Sequence, residues 1–220
     1  MNNVLFIAIP RTAGTSIIKA LIKSGGMQIR KHRFIKDFHN KGIISFGHFD
    51  VKVLTKEGVI SQEYLDSAFK FCFIRNPWDR LVSLYNYYRY GKAARTRGEM
   101  TKRKVWGQKS FREFCLDLYE EDIDPIGFYN VEGLSQCNNQ LDWIVDSSGK
   151  VFVDFIGRFE NLAEDLVGIG RRIGLDLVLY HKNRMRHKYY QEHYSGEDTD
   201  LVEVVGKIYR KDIEHFGYKF

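Results

Sequence analysis

Proline and cysteine are scarce in this chain, at three residues each among 220. With three prolines there is no Pro-rich linker, and no internal repeat or low-complexity tract divides the sequence into tethered modules. Cys72, Cys115 and Cys137 are widely spaced and set among apolar residues. That spacing fits reduced thiols packed as small hydrophobes better than a disulfide or metal framework. The expected setting is a reducing compartment, the cytoplasm. Long hydrophobic runs are missing too. No stretch of about 18 apolar residues and no basic-then-apolar leader pattern is found, so neither a membrane span nor export by its own signal is expected.

What the chain does contain is enough apolar material, 44% of residues, to bury one sizeable core. A single domain over residues 1–220 is expected, since domains typically run to roughly 100–200 residues. The net charge of +6 at pH 7 favours an anionic partner: a nucleotide, nucleic acid, an acidic glycan or a membrane surface.

Two stretches sharpen that choice. Val4 to Ile9 is a continuous apolar run of strand length, and it meets a small-residue turn, Pro10-Arg11-Thr12-Ala13-Gly14-Thr15-Ser16, that leads into the helical pattern Ile17, Ile18, Leu21, Ile22. Strand, turn and helix make a phosphate cradle, because the first amides of a helix lack partners and carry partial positive charge. Gly14 permits close approach, Thr15 and Ser16 offer hydroxyls, and Arg11 adds a fixed charge. Taken alone, the stretch also fits an ordinary turn capped by Thr15 or Ser16.

The second stretch repeats the plan. Phe69 to Ile74 reads as a strand ending in Arg75, with Asn76 as helix cap and Pro77 at the first helical position. Leu81, Leu84, Tyr85 and Tyr88 form the core stripe of that helix, and Arg80, Ser83 and Tyr87 share its other side. Arg75 and Ser83 could close on one anionic group, the guanidinium offering a bidentate fork. Two such units imply a ligand with two separated anionic ends. Between them, Ile43 to Phe46 reads as a strand delivering Gly47 and His48 at its exit, where ligands sit in open α/β sheets.

The loop from Pro10 to Ser16 resembles the 5'-phosphosulfate loop of the sulfotransferases that use 3'-phosphoadenosine 5'-phosphosulfate (PAPS). Arg75-Asn76-Pro77-Trp78-Asp79-Arg80-Leu81-Val82-Ser83-Leu84-Tyr85 resembles their 3'-phosphate motif, R-x-P-x-x-R-x-x-S-x-Y. Gly157 to Leu162 and Asp212 to Phe220 look like segments of the carbohydrate branch, Golgi and bacterial. The resemblance implies PAPS bound by Arg11, Thr12, Ala13, Gly14, Thr15 and Ser16 at its phosphosulfate end and by Arg75 and Ser83 at its 3'-phosphate. It likens His181 to Lys188, with Arg186 and Lys188, to a late loop over the adenosine. It also implies a hydroxylated acceptor of glycan or glycoconjugate type. The family's loop usually carries lysine where this chain has Arg11, which therefore reads as an electrostatic clamp rather than a proton donor.

The remainder is less informative. Arg89 to Arg112 holds nine basic residues and one acid, Glu99, and reads as a solvated run or a flap over an anionic acceptor. Ser110 caps a helix with the face Phe111, Phe114, Cys115, Leu118, and Gln140 is a candidate acceptor contact. Val151 to Val153 and Phe155-Ile156 are strand-like. A helix through Leu162, Leu166, Ile169 and Ile173 is closed by Gly174, and one amphipathic helix runs from Leu201 to Ile213.

The fold expected is a three-layer α/β domain with a mostly parallel sheet flanked by helices, close to the P-loop kinases. The reaction expected is in-line sulfuryl transfer, with His48 as general base, Arg11 beside it, and no metal required. A nucleotide kinase would use the same cradle but normally shows G-x-x-x-x-G-K-[ST], which is absent. A nucleic-acid-binding domain explains the charge yet leaves the paired anion sites unexplained, so no nucleic-acid partner is expected.

Overall fold

The computed structural model describes residues 3–29, 38–90, 108–120, 134–179 and 189–220. Contacts divide the chain into two compact units, Met1–Arg75 with Val131–Leu134 and Asp142–Arg184, and Asn76–Asn130 with Ser135–Leu141 and Met185–Phe220.

The first unit is built on a parallel sheet of five strands. These are β1 (Val4–Ile7), β2 (Met27–Gln28), β3 (Ile43–Ser45), β4 (Phe69–Ile74) and β5 (Phe155–Arg158), in the spatial order β2-β3-β1-β4-β5. Every pairing is parallel. Parallel strands need crossover connections, and in chain order these include helix α1 (Gly14–Lys23) between β1 and β2, and α2 (Val51–Lys56) with α3 (Gln62–Ser67) between β3 and β4. A strand covered on both faces has no polar side to show, which is why Val4 to Ile9 is unbroken apolar sequence, at most 2% exposed.

Phe6 and Phe71 stack at 5.0 Å, and Ile17, Leu21, Leu166 and Ile169 close over them from α1 and from the helix Leu162–Ile173. Truncating one such residue, Leu21→Ala, would cost about 2–5 kcal/mol. Two glycines are required by packing. A Cβ on Gly157 would lie 2.5 Å from the Phe73 ring, and one on Gly26 would lie 2.8 Å from the carbonyl of Leu21. The strand expected at Val151–Val153 is reduced to a single antiparallel bridge between Val145 and Val151. The ladder with β4 instead begins at Phe155 and runs through Arg158.

The second unit is helical: α4 (Pro77–Tyr90) and the helices Phe111–Glu120, Leu201–Ile208 and Arg210–Phe216. Asn76 Oδ1 accepts from the amide of Trp78 at 3.1 Å, so the cap forms as its sequence predicts. Ser110 and Glu113 form a reciprocal capping box, Ser110 N to Glu113 Oε2 at 2.7 Å and Glu113 N to Ser110 Oγ at 3.2 Å.

The polar side foreseen for α4 is not solvated. Arg80 is 1% exposed and Ser83 3%, because this helix is enclosed nearly all round. Arg80 faces Asp212 at 3.6 Å and donates to the backbone carbonyls of Gln136 and Asn138 at 2.8 and 2.7 Å. Asp212 in turn accepts from the amides of Gln140 and Leu141 at 2.8 and 2.9 Å. Burial pushes the Asp212 carboxyl up, an effect opposed by the Arg80 charge and those amides. The single closing helix expected from Leu201 to Ile213 breaks at Tyr209, which leaves helical geometry at φ −107° and lays its ring 5.1 Å from the Arg80 guanidinium carbon.

All three cysteines are buried and none is in a disulfide. Among the described residues no helix is long and apolar enough to cross a membrane.

Candidate functional site

Because the strands of the first unit are parallel, their C-terminal ends share one edge of the sheet. The chain leaves β1 into the loop 8–13, β3 toward Gly47 and His48, β4 into Arg75 and β5 into Phe159.

The loop is held in an uncommon conformation. Arg11 and Ala13 both adopt left-handed backbone, φ 69° and 68°, which costs a non-glycine residue roughly 1–2 kcal/mol. Thr12 lies between them, fully buried, and its hydroxyl donates to the carbonyl of Ile9 at 2.9 Å. This bracing turns the backbone so that the amides of Thr12, Ala13, Gly14 and Thr15 meet no acceptor among the described residues. Ser16 and Ile17 donate to Ala13 O at 2.9 and 3.3 Å and so begin the helical ladder. No acidic residue lies in the first turn of α1. Successive unpaired amides at a helix N-terminus form a concavity for an anion.

Details differ from the sequence reading. The amides without acceptors among the described residues are those of residues 12–15, and Ser16 N–H is engaged by the carbonyl of Ala13. The alternative of a turn capped by Thr15 or Ser16 does not hold, because the cap position is Ala13 and no side chain caps the helix. The hydroxyl of Thr12 serves the loop, where it donates to Ile9 O.

His48 lies on the same edge. Gly47 takes φ 63°, a left-handed turn that suits glycine, and His48 Nδ1 contacts the carbonyl oxygen of Ala8 at 2.5 Å. A carbonyl accepts, so Nδ1 carries a proton, and in the neutral ring the lone pair then falls on Nε2. Arg75 is 8% exposed and donates from Nη1 to the carbonyl of Arg11 at 3.2 Å. Its guanidinium carbon lies 4.1 Å from the centroid of the Phe159 ring. The structure thus brings Arg11, the loop amides and Arg75 together, with His48 tethered to Ala8 at the start of the loop.

Ser83 is buried in the second unit. Gln140 is fully buried, with Nε2 on Asp212 Oδ2 at 3.1 Å, so its side chain packs within the helical unit. Arg186 and Lys188 lie outside the described residues, as does most of the basic run from Arg89 to Arg112. At the described ends of that run, Arg89 donates to Tyr85 Oη at 2.5 Å and Arg112 pairs with Asp200 at 2.6 Å. Sequence reasoning missed the role of the Ala8 carbonyl and the ring of Phe159. A phenylalanine directly after a strand opposite the strand ending in Arg75 was the available signal for the latter.

A parallel α/β sheet whose central strand exits into a run of amides without acceptors among the described residues is an arrangement suited to an anionic ligand. The sulfotransferase family model matches residues 1–219, and the chain belongs to the sulfotransferase family, a family of transferases. An uncharacterised protein of Archaeoglobus fulgidus is 32% identical over 117 residues, covering 53% of this chain and 76% of that one. The crystal structure of a sulfotransferase from Alicyclobacillus acidocaldarius aligns over 99% of both chains at 16% identity with a TM-score of 0.49.

Proposed function

We propose that the protein transfers a sulfuryl group from PAPS to a hydroxyl of a carbohydrate-type acceptor by in-line displacement. The observation that carries this reading is the run of four amides, residues 12–15, without acceptors among the described residues, at the start of a helix whose first turn holds no acid. Such a cradle matches the 5'-phosphosulfate, with Arg11 as clamp and the hydroxyls of Thr15 and Ser16 beside it. Arg75 is assigned to the 3'-phosphate. Ser83 joins it on the motif alone, as Arg186 and Lys188 join the adenosine.

In the reaction a bond forms between the acceptor oxygen and sulfur while the bond from sulfur to the 5'-phosphate oxygen breaks. The acceptor proton passes to Nε2 of His48, and 3',5'-ADP departs. Loop amides and Arg11 stabilise the charge growing on the leaving oxygen. The carbohydrate acceptor follows from the resemblance of Gly157 to Leu162 and Asp212 to Phe220 to that branch.

Calorimetric titration with 3',5'-ADP and with AMP tests the donor. The expected result is micromolar binding of 3',5'-ADP, much weaker binding of AMP, and no effect of magnesium. Equal affinities, or a magnesium requirement, would reject PAPS as donor. A screen of glycans, phenols and peptides with radiolabelled PAPS then tests the acceptor, and label confined to non-carbohydrate acceptors would reject that part.

A further inference from the structure

Arg75 is held from two directions before any ligand arrives. The face of its guanidinium lies over Phe159, 4.1 Å from the ring centroid, and Nη1 is fixed on the carbonyl of Arg11 at 3.2 Å. Both contacts descend from the sheet. Ile74 and Arg158 are register partners on parallel β4 and β5, so the residues that follow them, Arg75 and Phe159, leave the sheet side by side. Gly157 helps to bring them there, since any larger residue would strike the Phe73 ring and push β5 away from β4.

We propose that Phe159 is a positioning residue that sets the plane of Arg75 for the 3'-phosphate, and so contributes to the preference for a 3'-phosphorylated nucleotide. The inference rests on the donor reading above. A guanidinium donates hydrogen bonds only within its plane. An aromatic face beneath it offers no competing acceptor, attracts the cation, and fixes that plane, while the bond to Arg11 fixes rotation within it. Arg75 is nearly buried, so the attraction acts with little solvent screening. A leucine would fill much of the same space and supply none of it. Phe159 itself is only half-buried, so substitution there leaves the core cluster untouched.

Calorimetric titration of the wild type, Phe159→Leu and Phe159→Tyr with 3',5'-ADP and AMP, with a thermal melt of each, tests the assignment. Phe159→Leu should weaken 3',5'-ADP binding roughly 5- to 30-fold and AMP binding by less than about twofold, the scale of a partly desolvated cation–π contact. Phe159→Tyr, which keeps the aromatic face, should restore the wild-type ratio. An unchanged ratio in Phe159→Leu, or equal weakening toward both nucleotides, overturns the proposal and leaves Phe159 as packing. A wild type that binds the two nucleotides equally overturns the donor reading, and this inference with it, a result distinguishable because it precedes any variant.

Discussion

Nδ1 of His48 and the carbonyl oxygen of Ala8 are joined by a 2.5 Å hydrogen bond across 40 residues of sequence. It ties the turn after β3 to the start of the loop after β1, and in the neutral imidazole it leaves the lone pair to Nε2.

That tether permits a substitution that separates structure from chemistry. In His48→Asn the side-chain amide can still donate to Ala8, yet no base remains. Turnover is expected to fall about 100- to 10,000-fold, with 3',5'-ADP affinity and melting temperature close to wild type. Near-normal turnover under saturating donor and acceptor would remove His48 from the reaction.

The loop offers a contrast between strain and approach. Ala13→Gly relieves a left-handed alanine and should stabilise the fold by up to about 1 kcal/mol in urea titrations. Gly14→Ala places a Cβ 3.5 Å from that of Ala8, an ordinary contact, so the fold should tolerate it. Nucleotide binding should not: about a tenfold loss of 3',5'-ADP affinity is expected if the anion approaches the backbone there. Unaltered affinity would place the anion elsewhere.

In the helical unit, Arg80 and Asp212 are 1% and 0% exposed. Removing one partner strands a buried charge, so Arg80→Met or Asp212→Leu should each cost about 3–5 kcal/mol, and the double variant less than the sum. Additive losses in equilibrium unfolding would show that the pair is not coupled.

His193 packs against Phe111 and Tyr85, with ring centroids 5.1 and 6.2 Å away. Burial holds its imidazole below the ordinary 6.5, against the pull of Glu192 and Asp198. The unfolded chain therefore takes up the proton first. Stability from this group is complete above pH 6.5 and is lost as pH falls toward the folded value. His193→Phe should flatten the decline of unfolding free energy in that window, and a slope equal to wild type would contradict the assignment.

Much of this arrangement was legible in the sequence. The apolar run Val4–Ile9 announces a central parallel strand, and Asn76-Pro77 and Ser110-x-x-Glu113 mark helix starts, because each depends on local backbone chemistry alone. Arg75 at a strand exit and the small-residue loop before a helix were legible as local features for the same reason. What stayed hidden depends on partners distant in sequence. The burial of Gln140 against Asp212, 72 residues later, was one such feature. The pairing of Arg80 with Asp212 was hidden for the same reason. The left-handed turns at Arg11 and Ala13 were not readable either, since neither residue type favours that conformation and the surrounding fold imposes it.

The sealed thiols have a practical consequence. Cys72, Cys115 and Cys137 are 0%, 0% and 9% exposed, and burial raises the first two further from the reactive thiolate. A cysteine introduced at one exposed position would be the group that a maleimide dye finds first. Donor occupancy could then be followed by fluorescence in the otherwise native chain, without first deleting its own sulfhydryls.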